Sequence, residues 1–400
     1  MSDPALDAFA AHFADPAALP GDAATREAAW QSFLERGFPS PRDEDWRFAS
    51  LDTIRETAWT AGSGAAQPQS GHRAAGVSFQ PLSERLAAGP VPGLSALTDE
   101  KAHGLVALNR ALVRDGVVLS IEPGASLEEP IDFAHGWGDD VTARAVQSRN
   151  LIRVGAGSRA VVIERLGRHA GGPVFANLVT EIELEASARL DYITLQDAAA
   201  NDQIFSHVRV RQAEGSHFAS HSIALGGEMH RAEVRAELAG EGSHCELNGL
   251  YLGRDRQKLD HYTTIDHATP HTPSDELYKG ILADRAHGVF HGRIRVRPHA
   301  QKIQALQSNG NLVLSNRARV NTKPQLEIYA DDVRCTHGAT IGRLDPDQLF
   351  FLRARGVPEA QAVALLTYGF ASEVLARLPI PELADGTRRE ILGWLGQATS

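Results

Sequence analysis

The dipeptide Gly157-Ser158 precedes a short apolar strand, Ala160-Val161-Val162-Ile163, and the same combination returns along the middle of the chain. A small residue, then Ser, then an alternating apolar run occurs at Ala125-Ser126, Gly157-Ser158, Ala186-Ser187, Gly215-Ser216 and Gly242-Ser243. The intervals between these serines are 32, 29, 29 and 27 residues. A period near 29 residues that holds about two short strands and no helical pattern is typical of a solenoid. The repeat therefore predicts a β-helix.

The competing architecture is a β-sandwich, in which tight hairpin turns would join successive strands. Three dipeptides suit such turns, namely Asp115-Gly116, Asn248-Gly249 and Asn309-Gly310. They do not fall at every strand end, so the pattern favours the solenoid over the sandwich.

Helical regions are expected on both sides of the repeat. Residues 1–104 predict an N-terminal helical region with a flexible loop, since residues 60–75 are rich in Ala, Gly, Pro and Gln. Residues 105–342 predict the β-helix, and residues 343–400 a C-terminal helical region. There, Asp345 is placed to cap a helix, Pro346 to begin it, Gln348 to complete a capping box, and Gly356 to end it.

A second C-terminal helix is expected from Pro358, with one apolar stripe that ends before Pro379. The stripe consists of Val363, Leu366, Phe370, Val374 and Leu378. Such a stripe indicates packing on a neighbouring element, and two helices at the end of a solenoid also suit the docking of a partner.

The composition excludes several classes of protein. The 400 residues are 42% hydrophobic and 22% charged, with a net charge of −10. No apolar stretch approaches the roughly 20 residues of a membrane-spanning helix, and no signal or transit segment is visible. The basic residues form no block, which disfavours binding to nucleic acid. With only two cysteines, Cys245 and Cys335, we expect a soluble cytoplasmic protein with neither membrane nor nucleic acid as partner.

Histidines are concentrated between His207 and His299, where 11 of the 17 lie. Three pairs have i, i+4 spacing: His217/His221, His267/His271 and His287/His291. On a helix such a pair converges on one metal ion, but on a strand the two side chains lie roughly 13 Å apart. Within a β region these pairs are therefore predicted not to chelate a metal.

Cys335 and His337 are two residues apart in a predicted strand, so their side chains share a face about 7 Å apart. They could approach one soft metal centre, or Cys335 could be a buried thiol beside a solvent-facing imidazole. The spacing alone leaves both interpretations open. Cys245 follows a repeat turn, where the pattern places apolar residues, and is predicted to be structural. We find no nucleophile elbow, no phosphate-binding loop and no zinc-protease motif.

A family resemblance emerges from longer strings. The C-terminal string runs from Leu326 to Thr340 and is followed by Leu349 to Gly356. Further matching strings are Ser274 to Gly280, Val289 to Ile294, Ala300 to Lys302, Gln307 to Leu312, and the acidic and aromatic motif Arg42 to Phe48. Together they resemble the SufB/SufD family of iron–sulfur cluster assembly proteins. The run from Cys335 to Gly342 is similar to the SufD branch.

The resemblance implies a right-handed parallel β-helix and a non-catalytic scaffold subunit of a SufBCD-type complex. The implied partners are a SufB-like paralogue and a SufC-like ABC-type ATPase, which the helices of residues 345–378 would dock. His337 and, less certainly, Cys335 would serve as metal ligands in a transient iron–sulfur cluster site shared with the SufB-like partner. Whether the complex also binds a reduced flavin is left open.

Two other classes of function remain as alternatives. A β-helix enzyme acting on polysaccharide would need clustered carboxylates on one strand face, whereas Asp331 and Asp332 point to opposite faces if extended. A histidine-bound mononuclear metalloenzyme is weakened by the strand spacing of the histidine pairs.

Overall fold

A computed structural model describes residues 3–99, 103–138, 140–167 and 171–398. The helices within these ranges are α1 (Pro4–His12), α2 (Ala23–Arg36), α3 (Asp52–Glu56), α4 (Leu82–Ala87), α5 (Gly104–Leu112), α6 (Pro346–Arg353), α7 (Glu359–Leu375) and α8 (Pro381–Ala398). The strands are β1 (Thr60–Ala61), β2 (Ala66–Ser70), β3 (Val77–Pro81), β4 (Val117–Ile121), β5 (Ile131–His135), β6 (Arg144–Val154), β7 (Arg159–Leu166), β8 (Val174–Leu184), β9 (Arg189–Gln196), β10 (Gln203–Gln212), β11 (His217–Ala224), β12 (Met229–Leu238), β13 (His244–Gly253), β14 (Lys258–His267), β15 (Pro273–Leu282), β16 (His287–Val296), β17 (Ile303–Val313), β18 (Arg319–Ile328) and β19 (Val333–Gly342).

From β4 onward, successive strands alternate between two sheets. The first sheet has the order β18-β16-β14-β12-β10-β8-β6-β4-β3, and the second β19-β17-β15-β13-β11-β9-β7-β5-β2. All pairings between β4 and β19 are parallel. Each coil therefore gives one strand to each sheet, and the predicted parallel solenoid is confirmed.

The predicted repeat turns lead into the strands of the second sheet. One residue in each of these turns has left-handed backbone conformation, and the equivalent positions are Gly124, Gly157, Ser187, Gly215, Gly242, His271 and Lys302. Glycine is frequent there because it adopts positive φ without steric cost. The left-handed conformation also recurs in the two turns after Gly242, with φ 56° at His271 and 60° at Lys302. In these turns the sequence no longer shows a small residue followed by Ser.

The turn hydroxyls explain why Ser recurs. The buried Ser158 donates from Oγ to the carbonyl oxygen of Gly155 at 2.6 Å, and Ser216 and Ser243 make the same bond at 2.7 Å. Thr272 continues the series at 3.1 Å. Each bond satisfies a turn carbonyl that burial would otherwise leave unpaired. Two of the predicted repeat serines, Ser126 and Ser187, do not align with the other serines of the repeat. Ser126 pairs with Arg159 instead of aligning with Ser158, and Ser187 occupies the left-handed position.

Inward-facing side chains of both sheets form the solenoid core. One in-register column of the second sheet contains Ala160, Leu190, Phe218 and Cys245, all 1% exposed or less. Cys245 is thus buried among apolar neighbours, as predicted, and burial raises the pKa of its thiol well above the usual range.

The N-terminal segment contributes helices and three short strands. Phe33, Trp46 and Trp59 form a core with Phe175 and Phe205 of the first sheet. The stretch 60–75, expected as a flexible loop, instead contains β1 and β2. β2 pairs antiparallel with β5, and β3 pairs antiparallel with β4. These pairings supply backbone partners to the first coil, which the local Ala, Gly and Pro content does not reveal.

The first C-terminal helix, α6, begins at the predicted Pro346, whereas α7 ends at Leu375, before the last residue of the predicted stripe. The Asp345 side chain accepts a hydrogen bond from the Asp347 backbone N–H at 2.9 Å, and Gly356 has φ 82°. Part of the predicted stripe packs on the outer face of the second sheet: Val374 and Leu378 join a cluster that includes Ile193 and Ile223, and Phe370 packs against it. Val363 and Leu366 are only partly buried and lie outside this cluster. Among the described residues, no helix is both long and apolar enough to cross a membrane.

Candidate functional site

The last coil leaves both sheets open at one end. β18 and β19 are terminal strands of their sheets, and no described strand pairs with their outer edges. Ile328, Tyr329 and Ile341 at this end are 38%, 59% and 55% exposed. A long edge with unpaired backbone groups and apolar side chains is a ready surface for adding strands from another chain.

Cys335 and His337 both lie on β19, at this open edge. Cys335 aligns with Ala305 and His337 with Gln307, whose side chains face the solenoid interior. In-register neighbours of a parallel sheet project to the same face, so both candidate ligands lie on the inner face of the final coil. Cys335 is partly buried against the last apolar cluster, whereas His337 is exposed.

The thiol of Cys335 is the less available of the two ligands in this chain alone. Burial raises its pKa above the usual range, so the thiol is protonated at neutral pH. A metal binds the thiolate, and therefore ligation by Cys335 must release a proton. The exposed imidazole of His337 needs no rearrangement to meet a metal or a partner.

A buried polar column lies directly beneath His337. Its next members are Gln307 and Glu276, each 0% exposed, and Gln307 donates from Nε2 to Oε2 of Glu276 at 2.6 Å. Burial raises the pKa of the Glu276 carboxyl to about 7. This group can therefore gain or lose a proton near neutral pH.

Asparagines extend the polar interior of the same coil. Asn311 donates from Nδ2 to Oδ1 of Asn309 at 2.7 Å and accepts a hydrogen bond from the Tyr251 hydroxyl at 2.5 Å. Asn309 in turn donates to the Tyr278 carbonyl oxygen at 3.2 Å. The sequence analysis missed this polar interior, although the alternation Gln307, Asn309, Asn311 was a visible signal for three polar side chains on one strand face.

The predicted histidine pairs behave as strand geometry requires. His217 and His221 lie on β11, and His287 and His291 on β16, four residues apart along extended chain. His267 ends β14, and its imidazole contacts the hydroxyls of Thr272 at 2.8 Å and Ser274 at 3.1 Å. None of these pairs is brought together as a chelate.

The acidic and aromatic motif of residues 42–48 lies against the first sheet. Trp46 is buried, and the Arg231 guanidinium lies 3.9 Å from its ring centroid. Asp45 pairs with Arg293 at 3.5 Å and Glu44 with Lys323 at 2.5 Å. The motif thus ties the N-terminal helices to β12, β16 and β18.

Helix α6 presents a second unpartnered surface. None of its residues is buried, and Phe350 and Phe351 are 71% and 54% exposed. The Arg355 guanidinium lies 3.3 Å from the Phe351 ring centroid. Adjacent exposed aromatic side chains with an arginine are the residue types enriched at protein–protein interfaces.

Comparisons with known proteins agree with this architecture. A family model described as SUF system FeS cluster assembly, SufBD core domain, matches residues 137–370. The iron-sulfur cluster assembly protein SufD of Escherichia coli is 29% identical over 395 residues, covering 92% of this chain and 90% of that protein. An iron-sulfur cluster assembly SufBD family protein of Mycobacterium tuberculosis is 32% identical over 386 residues, covering 92% of this chain and 93% of that protein. The iron-sulfur cluster assembly protein SufD of Bacillus subtilis is 28% identical over 295 residues, covering 72% of this chain and 65% of that protein.

Proposed function

This chain belongs to the SufB/SufD family of iron–sulfur cluster assembly proteins, in the SufD branch, and we propose that it is a non-catalytic scaffold subunit of a SufBCD-type complex. In this proposal a SufB-like paralogue pairs with the open end of the solenoid, and an ABC-type ATPase docks on the C-terminal helices. A transient cluster forms between the two solenoid subunits. The observation that carries the proposal is that the open edge and the Cys335/His337 pair coincide on β19.

The open edge favours a strand-bearing partner of similar shape. A paralogue with the same coil cross-section can continue both sheets across β18 and β19, so that unpaired backbone groups on each side are satisfied together. Such pairing would cover Tyr329 and Ile341.

The ligand set supports a site that is incomplete in this chain. Imidazole and thiolate are suitable ligands of iron–sulfur centres, which need four ligands at a single [4Fe–4S] or [2Fe–2S] cluster. This strand offers at most two, Cys335 and His337, and the remaining ligands would come from the partner. A site divided between two chains can assemble and release its cargo when the interface moves.

The docking of an ATPase is supported by α6. Its exposed Phe350 and Phe351 are not needed to build the solenoid core, since they lie outside the apolar clusters of the described residues. Nucleotide hydrolysis on a partner chain also accords with the lack of a phosphate-binding loop in this sequence.

The proposal is tested by measuring the iron and labile sulfide that the co-expressed complex retains when purified without oxygen. His337→Ala should leave the complex intact and lower both values, because one ligand is missing while an exposed imidazole contributes little to stability. Cys335→Ala should have a smaller effect if the imidazole alone ligates, and an equal effect if both residues do.

His271→Asn is the matched control, since His271 is an exposed histidine in a turn away from β19 and Asn tolerates its positive φ. This variant should retain the iron and sulfide of the parent. Unchanged iron and sulfide in His337→Ala would contradict the assignment of His337. Failure of the parent to recover the paralogue and the ATPase would contradict the scaffold proposal itself.

A further inference from the structure

Three side chains from neighbouring coils meet on the outer face of the second sheet. His217 on β11 and His244 on β13 are in register, and their ring centroids are 4.5 Å apart. Glu246 follows two residues after His244 and so projects from the same face. Within the described ranges, these residues form one group of three whose ligand atoms all lie within 4.8 Å of one another.

The distances in this group exceed those of hydrogen bonds and approach those between the ligands of one metal ion. Nε2 of His217 lies 3.4 Å from Oε1 of Glu246, and Nε2 of His244 lies 3.7 Å from the same oxygen. Hydrogen bonds of this type are about 2.7–3.2 Å long. Ligand atoms at 2.0–2.2 Å from a tetrahedral metal ion are about 3.3–3.6 Å apart. Small side-chain rotations would therefore place all three atoms around one ion.

The surroundings leave the group accessible. The side chains of His217, His244 and Glu246 are 33%, 34% and 28% exposed, so water or another ligand can fill the remaining coordination positions. The neighbouring carboxylate Asp275 is held by Arg377 of the C-terminal helical region. Glu246 is therefore the carboxylate presented to both imidazoles.

We propose that His217, His244 and Glu246 bind one divalent first-row transition metal ion, such as Zn²⁺ or Fe²⁺. Two imidazoles and one carboxylate are a donor set of this class, which harder ions such as Mg²⁺ and Ca²⁺ do not favour. The site is separate from Cys335 and His337. Its nearer strand, β13, is three strands from β19, roughly 14 Å at the usual strand spacing, and its side chains lie on the outer instead of the inner face of the sheet.

The proposal is tested on the full chain carrying Cys335→Ala and His337→Ala, so that the edge ligands cannot contribute. After removal of metal by a chelator, titration with Zn²⁺ should show one tight equivalent, and X-ray absorption of the zinc complex should show two imidazole ligands. His217→Ala, His244→Ala and Glu246→Gln should each weaken binding at least about tenfold, since even changes around a ligand cost 10–100-fold.

His271→Asn is again the control, because His271 faces a single carboxylate, Glu241, at 4.0 Å and should not contribute to the tight equivalent. A second readout is thermal unfolding, in which Zn²⁺ should raise the Tm of the parent and the control but not of the three ligand variants. Tight binding that survives His217→Ala and His244→Ala, or no tight equivalent in the parent, would overturn the proposal. Neither result depends on cluster assembly, so the proposed function is tested separately.

Discussion

The two ends of the solenoid are built differently. At the beginning, the five-residue strands β2 and β3 close the sheets with antiparallel pairing, and each contains a proline. β2 also has a register irregularity between Pro68 and Ser70. Short strands, prolines and bulges are devices that prevent further strand addition. At the other end, β18 and β19 are each ten residues long; β18 contains one proline, Pro324, and β19 contains none.

One in-register column of the second sheet becomes polar toward the open end. It begins with the buried Ile131 and Val162, and in the last coils it contains Glu276, Gln307 and the exposed His337. The left-handed turn position is Gly in the first two coils and His271 and Lys302 in the last ones. The capping strands block further strand addition at one end, and the uncovered strands permit it at the other, which supports the open end as the surface where this solenoid meets another chain.

The largest expected effect concerns the open edge. Ile341→Lys should weaken complex formation with the SufB-like paralogue at least about 100-fold, because an unpaired charge would be buried between the two sheets. The fold of the isolated chain should be unchanged, since Ile341 is 55% exposed. Affinity between the purified subunits is the measurement.

Val141→Lys is the control for this experiment, since Val141 is 83% exposed before β6, far from the open edge in strand order. It should bind the paralogue like the parent. Equal binding by Ile341→Lys would mean that the edge is not the interface.

The next effect concerns the polar interior of the late coils. Burial raises the pKa of Glu276 from 4.5 to about 7. Between pH 4.5 and 7, the Glu276 carboxyl is therefore protonated in the folded state and ionised in the unfolded state. Stability is therefore lost as pH rises from about 4.5 to 7, by up to about 3 kcal/mol. Glu276→Gln should stabilise the chain at pH 8 and have little effect near pH 4.5, as measured by denaturant unfolding at both pH values.

Glu233 provides a control with the opposite sign. Burial raises its pKa, but Arg231 and His103 outweigh burial and hold the pKa well below the usual range. Its stabilising contribution is present above the unfolded-state pKa and is lost as pH falls. Glu233→Gln should thus destabilise most at neutral pH, by about 3–5 kcal/mol as for other broken buried ion pairs. A Glu276→Gln variant with the same pH trend as Glu233→Gln would show that Glu276 is ionised in the fold.

The smallest effect concerns the turns. His271→Gly should stabilise the chain by about 0.5–1 kcal/mol, because glycine relieves the strain of φ 56° at an exposed position. Gly242→Ala, the reverse kind of change at the equivalent position of the preceding coil, should destabilise by a similar amount. The backbone φ there is 71°, and the nearest atom to the new Cβ is the Gly215 Cα at 4.0 Å, so the cost is backbone strain and not a steric clash. Thermal unfolding of both variants would detect opposite shifts in Tm, and shifts of the same sign would contradict the equivalence of these turns.

The amino-acid sequence by itself determined the features that are encoded locally. The spacing of small residues and serines predicted stacked coils, Asp345 and Gly356 predicted a helix, and the two-residue spacing of Cys335 and His337 predicted a shared strand face. Each of these follows from backbone geometry within a few residues, or from a period that the chain repeats. The long strings that resemble the SufB/SufD family added the function that the comparisons support.

Only the tertiary structure decided which residues meet across coils. His217 and His244 are 27 positions apart in sequence, and both directly follow a repeat serine, so the pairing was visible only once one coil was known to stack in register on the next. Asp45 contacts Arg293, which lies 248 positions later in the sequence. Glu276 and Gln307 become neighbours because β15 and β17, on successive coils, pair in register. The physical reason is register, because a shift of one residue between coils moves every side chain to the opposite face, and only the packed core fixes that shift.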